Sequence, residues 1–292
     1  MKDQQASATA DMTAMIRAHE HIYAGGEVFD DPFAFALTSP GWRRILRSRV
    51  AKAIVIDALL RPFRGGAAVV LGRARYVEDQ LLRATKEGCT QYVLVGAGMD
   101  SFALRQPSEL GTLKVIELDH PTTQAVKRRR LASIGDEVTG DVDLVAVDFE
   151  TESVAEALEG SAYDPAARAV FCWMGVTYYL TEETVYSALA SMASCCAPGS
   201  ELVFDYQVPA GSIDEQDSGV LRRLDWLVAK VGEPVIAELD PNELSERLNR
   251  IGFVVVADLS ARVLDQMYFE HREAGLRVPN GMRVMHVRYA GP

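Results

Sequence analysis

Residues Gln91-Tyr-Val-Leu-Val-Gly-Ala-Gly-Met-Asp-Ser-Phe-Ala-Leu-Arg105 join an apolar run to a glycine turn. The run predicts a buried strand over 91–96, and the segment after the turn predicts a helix over 99–109. Glycine adopts positive φ and has no Cβ, so the backbone at Gly96 and Gly98 can lie against a ligand. The free N–H groups at the start of a helix favour an anionic group of that ligand.

A second strand with an acidic end follows in Lys114-Val-Ile-Glu-Leu-Asp119. Asp119 comes 21 residues after Gly98 (119 − 98). This is close to the spacing of about 20 residues at which an acid reaches a ribose hydroxyl in a nucleotide-binding βαβ unit. Glu117 alternates with Asp119 on the same strand and could share that role. The pair of motifs predicts a site for a nucleoside.

The turn departs from the dinucleotide pattern, which needs a third glycine three residues after the second. That position is Ser101 here, and the carboxylate of Asp100 beside the turn would repel a diphosphate. A cationic or zwitterionic nucleoside fits better. S-adenosylmethionine has a ribose diol, an ammonium and a sulfonium, and it carries no phosphate.

Beyond residue 90, predicted strands and helices alternate, which indicates an α/β fold with a mostly parallel sheet between helices. The seven strands are predicted at 91–96, 113–119, 142–147, 168–173, 200–206, 252–257 and 282–288. Besides 99–109, helices are predicted at 121–134, 151–159, 182–196, 219–231 and 241–250.

The chain is expected to have two parts. Residues 1–12 are polar and are predicted to fray, and residues 13–85 are mostly helical by pattern. Together, residues 1–85 are predicted to form a lid over the carboxyl edge of the sheet, where open α/β sheets bind ligands. Residues 86–292 form the predicted core, with an acceptor-side insertion at about 207–240.

Composition limits the class of partner. The net charge of −11 argues against a broad nucleic-acid surface. The most apolar stretch, 50–71, is interrupted by charged residues and a proline, so no membrane span is expected. The start has no apolar secretory segment. The four cysteines lack metal-ligand spacing, so no metal is expected, and reduced thiols indicate a cytoplasmic protein.

Several motifs in order resemble the leucine carboxyl methyltransferase family, closest to its bacterial branch of polyketide and other S-adenosylmethionine-dependent O-methyltransferases. The resemblance covers roughly residues 20–290, and its motifs are Val28–Pro32, Arg73–Asp79, Val95–Arg105, Glu117–Pro121, Val147–Phe149 and Trp173–Leu180. One position departs from the family pattern, because Met174 stands where the family usually has Glu before Gly175. This departure puts the acceptor, or polar contacts to the methionine moiety, in question.

The resemblance implies a Rossmann-like class I methyltransferase with S-adenosyl-L-methionine as cofactor and a small-molecule acceptor. It implies methyl esters or polyketide O-methylation, reactions of secondary metabolism. The implied cofactor residues are Arg73 or Arg75 at the methionine carboxylate, Gly96, Ala97 and Gly98 at the turn, Asp100 at the amino group, Glu117 and Asp119 at the ribose, Asp148 and Phe149 at the adenine, and Trp173. The candidate catalytic residues are Tyr178, Tyr179 and His21.

Two other hypotheses about the function remain open on the sequence alone. The protein could be an NAD(P)-dependent oxidoreductase or a non-catalytic protein that binds S-adenosylmethionine. The choice between a carboxylate and an acidic hydroxyl as acceptor also remains open. Either is favoured over an ordinary phenol, because a carboxylate is ionised at pH 7 and needs no base, whereas a phenol with a pKa near 10 would need one. The oligomeric state is undetermined, a homodimer included.

Overall fold

The computed structural model describes residues 8–107, 110, 111, 113–134, 142–149, 151–213, 219, 226, 235–271 and 275–291. Seven strands form one sheet, and they are β1 (Gln91–Val95), β2 (Lys114–Asp119), β3 (Val142–Ala146), β4 (Ala169–Trp173), β5 (Glu201–Gln207), β6 (Phe253–Ser260) and β7 (Met282–Tyr289). All seven predicted strands are confirmed within a few residues at their ends.

Ten α-helices are found among the described residues. Five precede the sheet: α1 (Ala8–Ala24), α2 (Ala34–Leu37), α3 (Pro40–Arg47), α4 (Arg49–Lys52) and α5 (Arg64–Lys86). The others are α6 (Pro121–Ala132), α7 (Val154–Glu159), α8 (Glu182–Cys195), α9 (Pro241–Arg250) and α10 (Ala261–Tyr268). A π-helical segment, Ala53–Leu59, follows α4. The predicted helix at 219–231 lies outside the described residues except for two positions.

The strand order is β3-β2-β1-β4-β5-β7-β6. The first five strands are parallel, and β7 lies antiparallel between β5 and β6. The predicted mostly parallel seven-stranded α/β sheet is therefore confirmed. Because the chain order reverses between β1 and β4, the loops after these two strands diverge and leave a crevice at the carboxyl edge, where ligands bind in open α/β sheets.

Each face of the sheet is covered by helices, which explains the continuous apolar strands. Alternate residues of β1 enter opposite cores: Tyr92 and Leu94 pack toward α5, and Val93 and Val95 pack toward α7, α8 and α9. A polar network is centred on the buried carboxylate of Glu201, the first residue of β5. The Glu201 carboxylate pairs with His286 at 2.9 Å, with Arg288 at 2.8 Å and with Arg83.

The helix predicted over 99–109 is wrong for the residues that the structure describes there. Only a 3₁₀ turn, Phe102–Leu104, forms after the glycine turn. The carboxylate of Asp100 accepts the N–H of Phe102 at 2.7 Å, an interaction that closes a local turn and competes with an α-helix. The helix α10 was not predicted, although Ala261, Leu264 and Tyr268 repeat at helical spacing.

The N-terminal helices are attached to the sheet edge through Asp31, which is fully buried. Its carboxylate accepts from Arg17 Nε at 2.9 Å, from Ser101 Oγ at 2.6 Å and from the N–H of Ala34 at 2.9 Å. Burial opposes ionisation of Asp31, but Arg17 and Arg105 outweigh it and lower the pKa of the carboxyl group. One buried anion therefore joins α1, α2 and the loop after β1.

No helix among the described residues has both the length and the apolar character needed to cross a bilayer.

Candidate functional site

The parallel register brings the ends of four strands to one edge. Val95 pairs with Leu118, Asp119 with Ala146, and Leu94 with Cys172. The glycine turn after β1, the acid that ends β2, and the loops after β3 and β4 therefore lie side by side. Sequence reasoning placed its candidate nucleoside site at this edge.

The turn can be built only with glycine. Gly96 has φ of +72° and Gly98 has φ of +55°, a region that other residues rarely adopt. A Cβ on Gly96 would lie 2.6 Å from Cγ2 of Val176 in the loop after β4, and one on Gly98 would lie 3.1 Å from Cβ of Ala10 in α1. Ala97 between them is buried. The backbone is thus held between the sheet and the N-terminal helix.

Asp119 faces this turn. Its carboxylate accepts the N–H of Gly98 and, at 2.6 Å, the N–H of His120. Burial raises the pKa of the carboxyl group, although these two donors oppose the shift. A carboxylate in this position keeps lone pairs free to accept from vicinal hydroxyl groups.

Glu117 lies two residues earlier, and its side chain is already engaged. It forms a buried ion pair with Lys127 of α6, and the two side chains are 2% and 3% exposed. Burial raises the pKa of Glu117, with Lys127 opposing the shift. Glu117 therefore packs beneath α6 with its carboxylate paired to Lys127.

The other predicted cofactor residues lie at the same edge in different environments. Asp100 is half-buried, and its carboxylate accepts a hydrogen bond from the Phe102 N–H. Asp148 and Phe149 are half-buried in the loop after β3, next to the end of β2. Trp173 is 1% exposed and packs against Phe204, at 6.1 Å between ring centroids, so its side chain belongs to the core.

A buried cluster surrounds Arg73 of α5. Its Nη1 donates to the Tyr178 hydroxyl at 2.9 Å and to the carboxylate of Asp205 at the end of β5. The other oxygen of Asp205 accepts the N–H of Gly175 at 2.7 Å. A Cβ on Gly175 would lie 2.7 Å from Nη2 of Arg73, so the loop after β4 is in direct contact with the guanidinium.

Electrostatics hold Arg73 charged. Arg73 is 7% and Asp205 is 1% exposed. Burial would lower the pKa of the guanidinium, but the Asp205 carboxylate outweighs it and raises that pKa. Burial, followed by Asp205, raises the pKa of Tyr178 to about 12. Tyr178 is therefore a neutral hydrogen-bonding group at pH 7 and is not a base.

The alternative arginine lies elsewhere. Arg75 is on the outer face of α5, 47% exposed, and pairs with Asp79 at 2.9 Å. The structure brings Arg73 to the strand edge and leaves Arg75 at the surface. Tyr179 is partly buried against Tyr178, with 4.6 Å between ring centroids.

His21 is not brought to this edge. It pairs with Asp30 at 2.6 Å, and its side chain is 35% exposed. It follows Ala10, the residue beside Gly98, by eleven positions in α1 (21 − 10), which is about 16 Å along a helix axis.

Sequence reasoning missed Asp205 and Asp31 as organising residues. Asp205 had a signal, since it is an acid inside the apolar strand Leu202-Val-Phe-Asp-Tyr206. Asp31 lies in Val28–Pro32, a motif that carries the family resemblance but gives no sign by itself of which partners the carboxylate meets. Within the described ranges, no three His, Cys, Asp or Glu side chains are grouped so that they could hold a metal ion.

Solved structures share this fold over nearly the whole chain. A DUF574-family protein from Streptomyces avermitilis has a TM-score of 0.64 at 14% identity, covering 98% of this chain and 99% of that one. A protein described as a "putative methyltransferase" from Thermobifida fusca has a TM-score of 0.59 at 12% identity, covering 99% and 97%. The strand order, the glycine turn and the acid that ends β2 define a class I methyltransferase fold.

The family follows from sequence comparison. The leucine carboxyl methyltransferase profile matches residues 10–193. The Bacillus subtilis "Putative S-adenosyl-L-methionine-dependent methyltransferase YktD" is 29% identical over 216 residues, 74% of this chain and 71% of that protein. A relative from Mycolicibacterium smegmatis with the same description is 32% identical over 217 residues, 72% and 68%. The chain belongs to the leucine carboxyl methyltransferase family and is an S-adenosylmethionine-dependent methyltransferase.

Proposed function

We propose that this protein transfers a methyl group from S-adenosylmethionine to a carboxylate or acidic hydroxyl oxygen of a small aromatic or polyketide-like acceptor. The observation that carries the proposal is the placement of the glycine turn, Asp119 and the Arg73 cluster at one strand edge. These groups match the two polar ends of the cofactor, its ribose and its amino-acid carboxylate.

The described residues fit the cofactor. Asp119 would accept from the ribose hydroxyls, and the turn at Gly96 and Gly98 would let the backbone lie against the nucleoside. Arg73 would hold the methionine carboxylate, for which a planar guanidinium is suited. When bound, S-adenosylmethionine would supply a methyl group on a sulfonium: a bond forms between the acceptor oxygen and the methyl carbon, the carbon–sulfur bond breaks, and S-adenosylhomocysteine leaves.

The acceptor is proposed to arrive already ionised. Tyr178 has a pKa raised to about 12, so it cannot accept a proton from the acceptor at pH 7. A carboxylate is ionised at this pH without help, and alignment of its oxygen with the methyl group and sulfur supplies much of the rate enhancement. The leucine carboxyl methyltransferase family name agrees with this choice.

The N-terminal region and the insertion are assigned roles on the same basis. We propose that residues 1–85 act as a lid over the cofactor and that residues 207–240 contribute the acceptor pocket. The contact between Ala10 and the glycine turn supports the first assignment. Most of the second segment lies outside the described residues. A cytoplasmic location and a small-molecule acceptor complete the proposal.

Calorimetric titration tests how the cofactor is held. S-adenosylhomocysteine should bind, and NAD and NADP should not. Arg73→Met should weaken the binding of S-adenosylhomocysteine by about 10- to 100-fold, the equivalent of one or two charge-assisted hydrogen bonds. The affinity for 5′-methylthioadenosine, which lacks the carboxylate, should be nearly unchanged. Arg75→Met is the matched control. Because Arg73→Met leaves the buried Asp205 unpaired, the titrations are repeated with Arg73→Met/Asp205→Asn, and equal loss of both ligands in both variants would show that Arg73 does not contact the carboxylate.

Mass spectrometry tests the reaction. The protein is incubated with S-adenosylmethionine and matched sets of aryl carboxylic acids, phenols and aryl amines of the same ring size. Methyl esters are expected, with acidic phenols as the next best acceptors. Methylation of amines alone would overturn the O-methyl assignment while leaving cofactor binding intact.

A further inference from the structure

A groove of about 900 Å³ lies at the C-terminal end of α1, where it meets α3 and α4. Its apolar walls include Ile22, Tyr23, Phe35 and Leu46. Ile22 follows Ala10 by twelve positions (22 − 10), so the groove is about 18 Å along α1 from the contact with the glycine turn. The groove is open to solvent, and its volume is comparable to that of pockets that bind small ligands, roughly 300–1,000 Å³.

Cations line the same groove. Lys52 Nζ lies 4.6 Å from the centroid of the Tyr23 ring and pairs with Asp57 at 2.8 Å. Arg47 and Arg49 are exposed, and the structure shows no carboxylate partner for either within its described residues. Arg47 lies over the Phe35 ring at 5.3 Å, which leaves its N–H groups available.

The charge pattern of the chain singles out this region. Residues 42–83 hold ten basic and three acidic side chains, whereas the whole chain has a net charge of −11. Three of these basic residues, Arg47, Arg49 and Lys52, line the groove, and this local positive charge attracts an anion. The π-helical segment Ala53–Leu59 begins directly after Lys52, which lines the groove. Such helical irregularities are frequent at functional sites.

We infer that this lid groove binds a small anionic ligand with an aromatic or aliphatic body, such as an aryl or acyl carboxylate. The arginines engage the carboxylate, and the apolar walls take up the body. The inference goes beyond the proposed methyl transfer, because it assigns a second site away from the cofactor edge.

Ligand-observed NMR with 1-naphthoate, in the absence of cofactor, tests the inference. Saturable binding with a dissociation constant below about 1 mM is expected. The neutral analogue 1-naphthalenemethanol should bind at least about tenfold more weakly. The double variant Arg47→Gln/Arg49→Gln should lose about tenfold or more in naphthoate affinity.

The matched control is Arg43→Gln/Arg44→Gln, which removes the same charge from α3 outside the groove and should change the affinity by less than about twofold. Melting temperatures of both double variants verify that they fold. Equal loss in both would mean a general field effect and would overturn the site.

Further results would show whether the anion binds in this groove or elsewhere. Displacement of naphthoate by S-adenosylhomocysteine would place it in the cofactor site and overturn the inference. Binding to phosphatidylglycerol vesicles without binding of naphthoate would assign the surface to a membrane instead. S-adenosylhomocysteine affinity, measured separately, should be unchanged in Arg47→Gln/Arg49→Gln. Naphthoate binding without any S-adenosylhomocysteine binding would overturn the proposed function and leave this site standing.

Discussion

The substitution Asp205→Asn should destabilise the protein more than its size suggests. It keeps the shape of the side chain and an acceptor for the Gly175 N–H, but it leaves the buried guanidinium of Arg73 without a counter-charge. Breaking a buried ion pair by removing one partner costs about 3–5 kcal/mol, and the retained acceptor places this case near 3 kcal/mol. For a chain of this size, that lowers the melting temperature by roughly 6–12 °C.

Urea unfolding at pH 7 measures the loss, with Asp258→Asn as the control. Asp258 pairs with Arg283 at 2.8 Å, but these side chains are 18% and 26% exposed, so the control should lose only about 1 kcal/mol. The double variant Arg73→Met/Asp205→Asn should be more stable than Asp205→Asn, because it removes the stranded charge. If Asp205→Asn loses no more unfolding free energy than the control, the charge of the Arg73 guanidinium is neutralised in another way and the reasoning fails.

Three further outcomes are expected. Glu201 has a pKa lowered to about 2, because its histidine and arginine partners outweigh burial, so its stabilisation is complete above pH 4.5 and is lost as the pH falls toward 2. Glu201→Gln should thus lower the free energy of unfolding by about 2 kcal/mol at pH 7. Urea titrations should show that this difference from the wild type shrinks as the pH falls toward 2, and a difference that does not change with pH would contradict the prediction. Gly96→Ala should weaken the binding of S-adenosylhomocysteine at least about tenfold, as measured by calorimetry, because the added Cβ clashes with Val176 and alanine is strained at positive φ. Gly25→Ala, which has a similar φ and open space, should bind normally. Arg17→Ala should speed hydrogen exchange of the α1 amides by about tenfold or more, since it frees α1 from Asp31, and unchanged protection would show that other contacts hold the helix.

Several features of the fold and site could be predicted because their signals are local. An apolar strand, a glycine turn and an acid at a fixed spacing follow one another within thirty residues of Gln91. The ends of β1 and β4 were predicted accurately because these parallel strands are buried on both faces and form continuous apolar runs. The helix over 99–109 failed for a local reason too, since the Asp100 side chain offers its neighbours a competing hydrogen bond.

The choice among similar side chains could not be predicted, because it depends on partners that are distant in sequence. Arg73 and Arg75 differ by two positions in one helix. Only the packing of α5 shows that Arg73 meets Asp205, 132 residues away, while Arg75 faces solvent. Glu117 and Asp119 share a face of β2, yet α6 covers the first and leaves the second at the turn.

Glycine conformation, strand burial and acid spacing are properties of short segments, so they predict the class of fold, the family and the strand edge proposed to hold the nucleoside. Only the folded chain shows that Arg73 rather than Arg75 lies at that edge, and that Asp31 and Asp205 organise the groups around them. The physical reason is that a buried charge is stable only beside its partner. Chain folding, rather than any local pattern, brings those partners together.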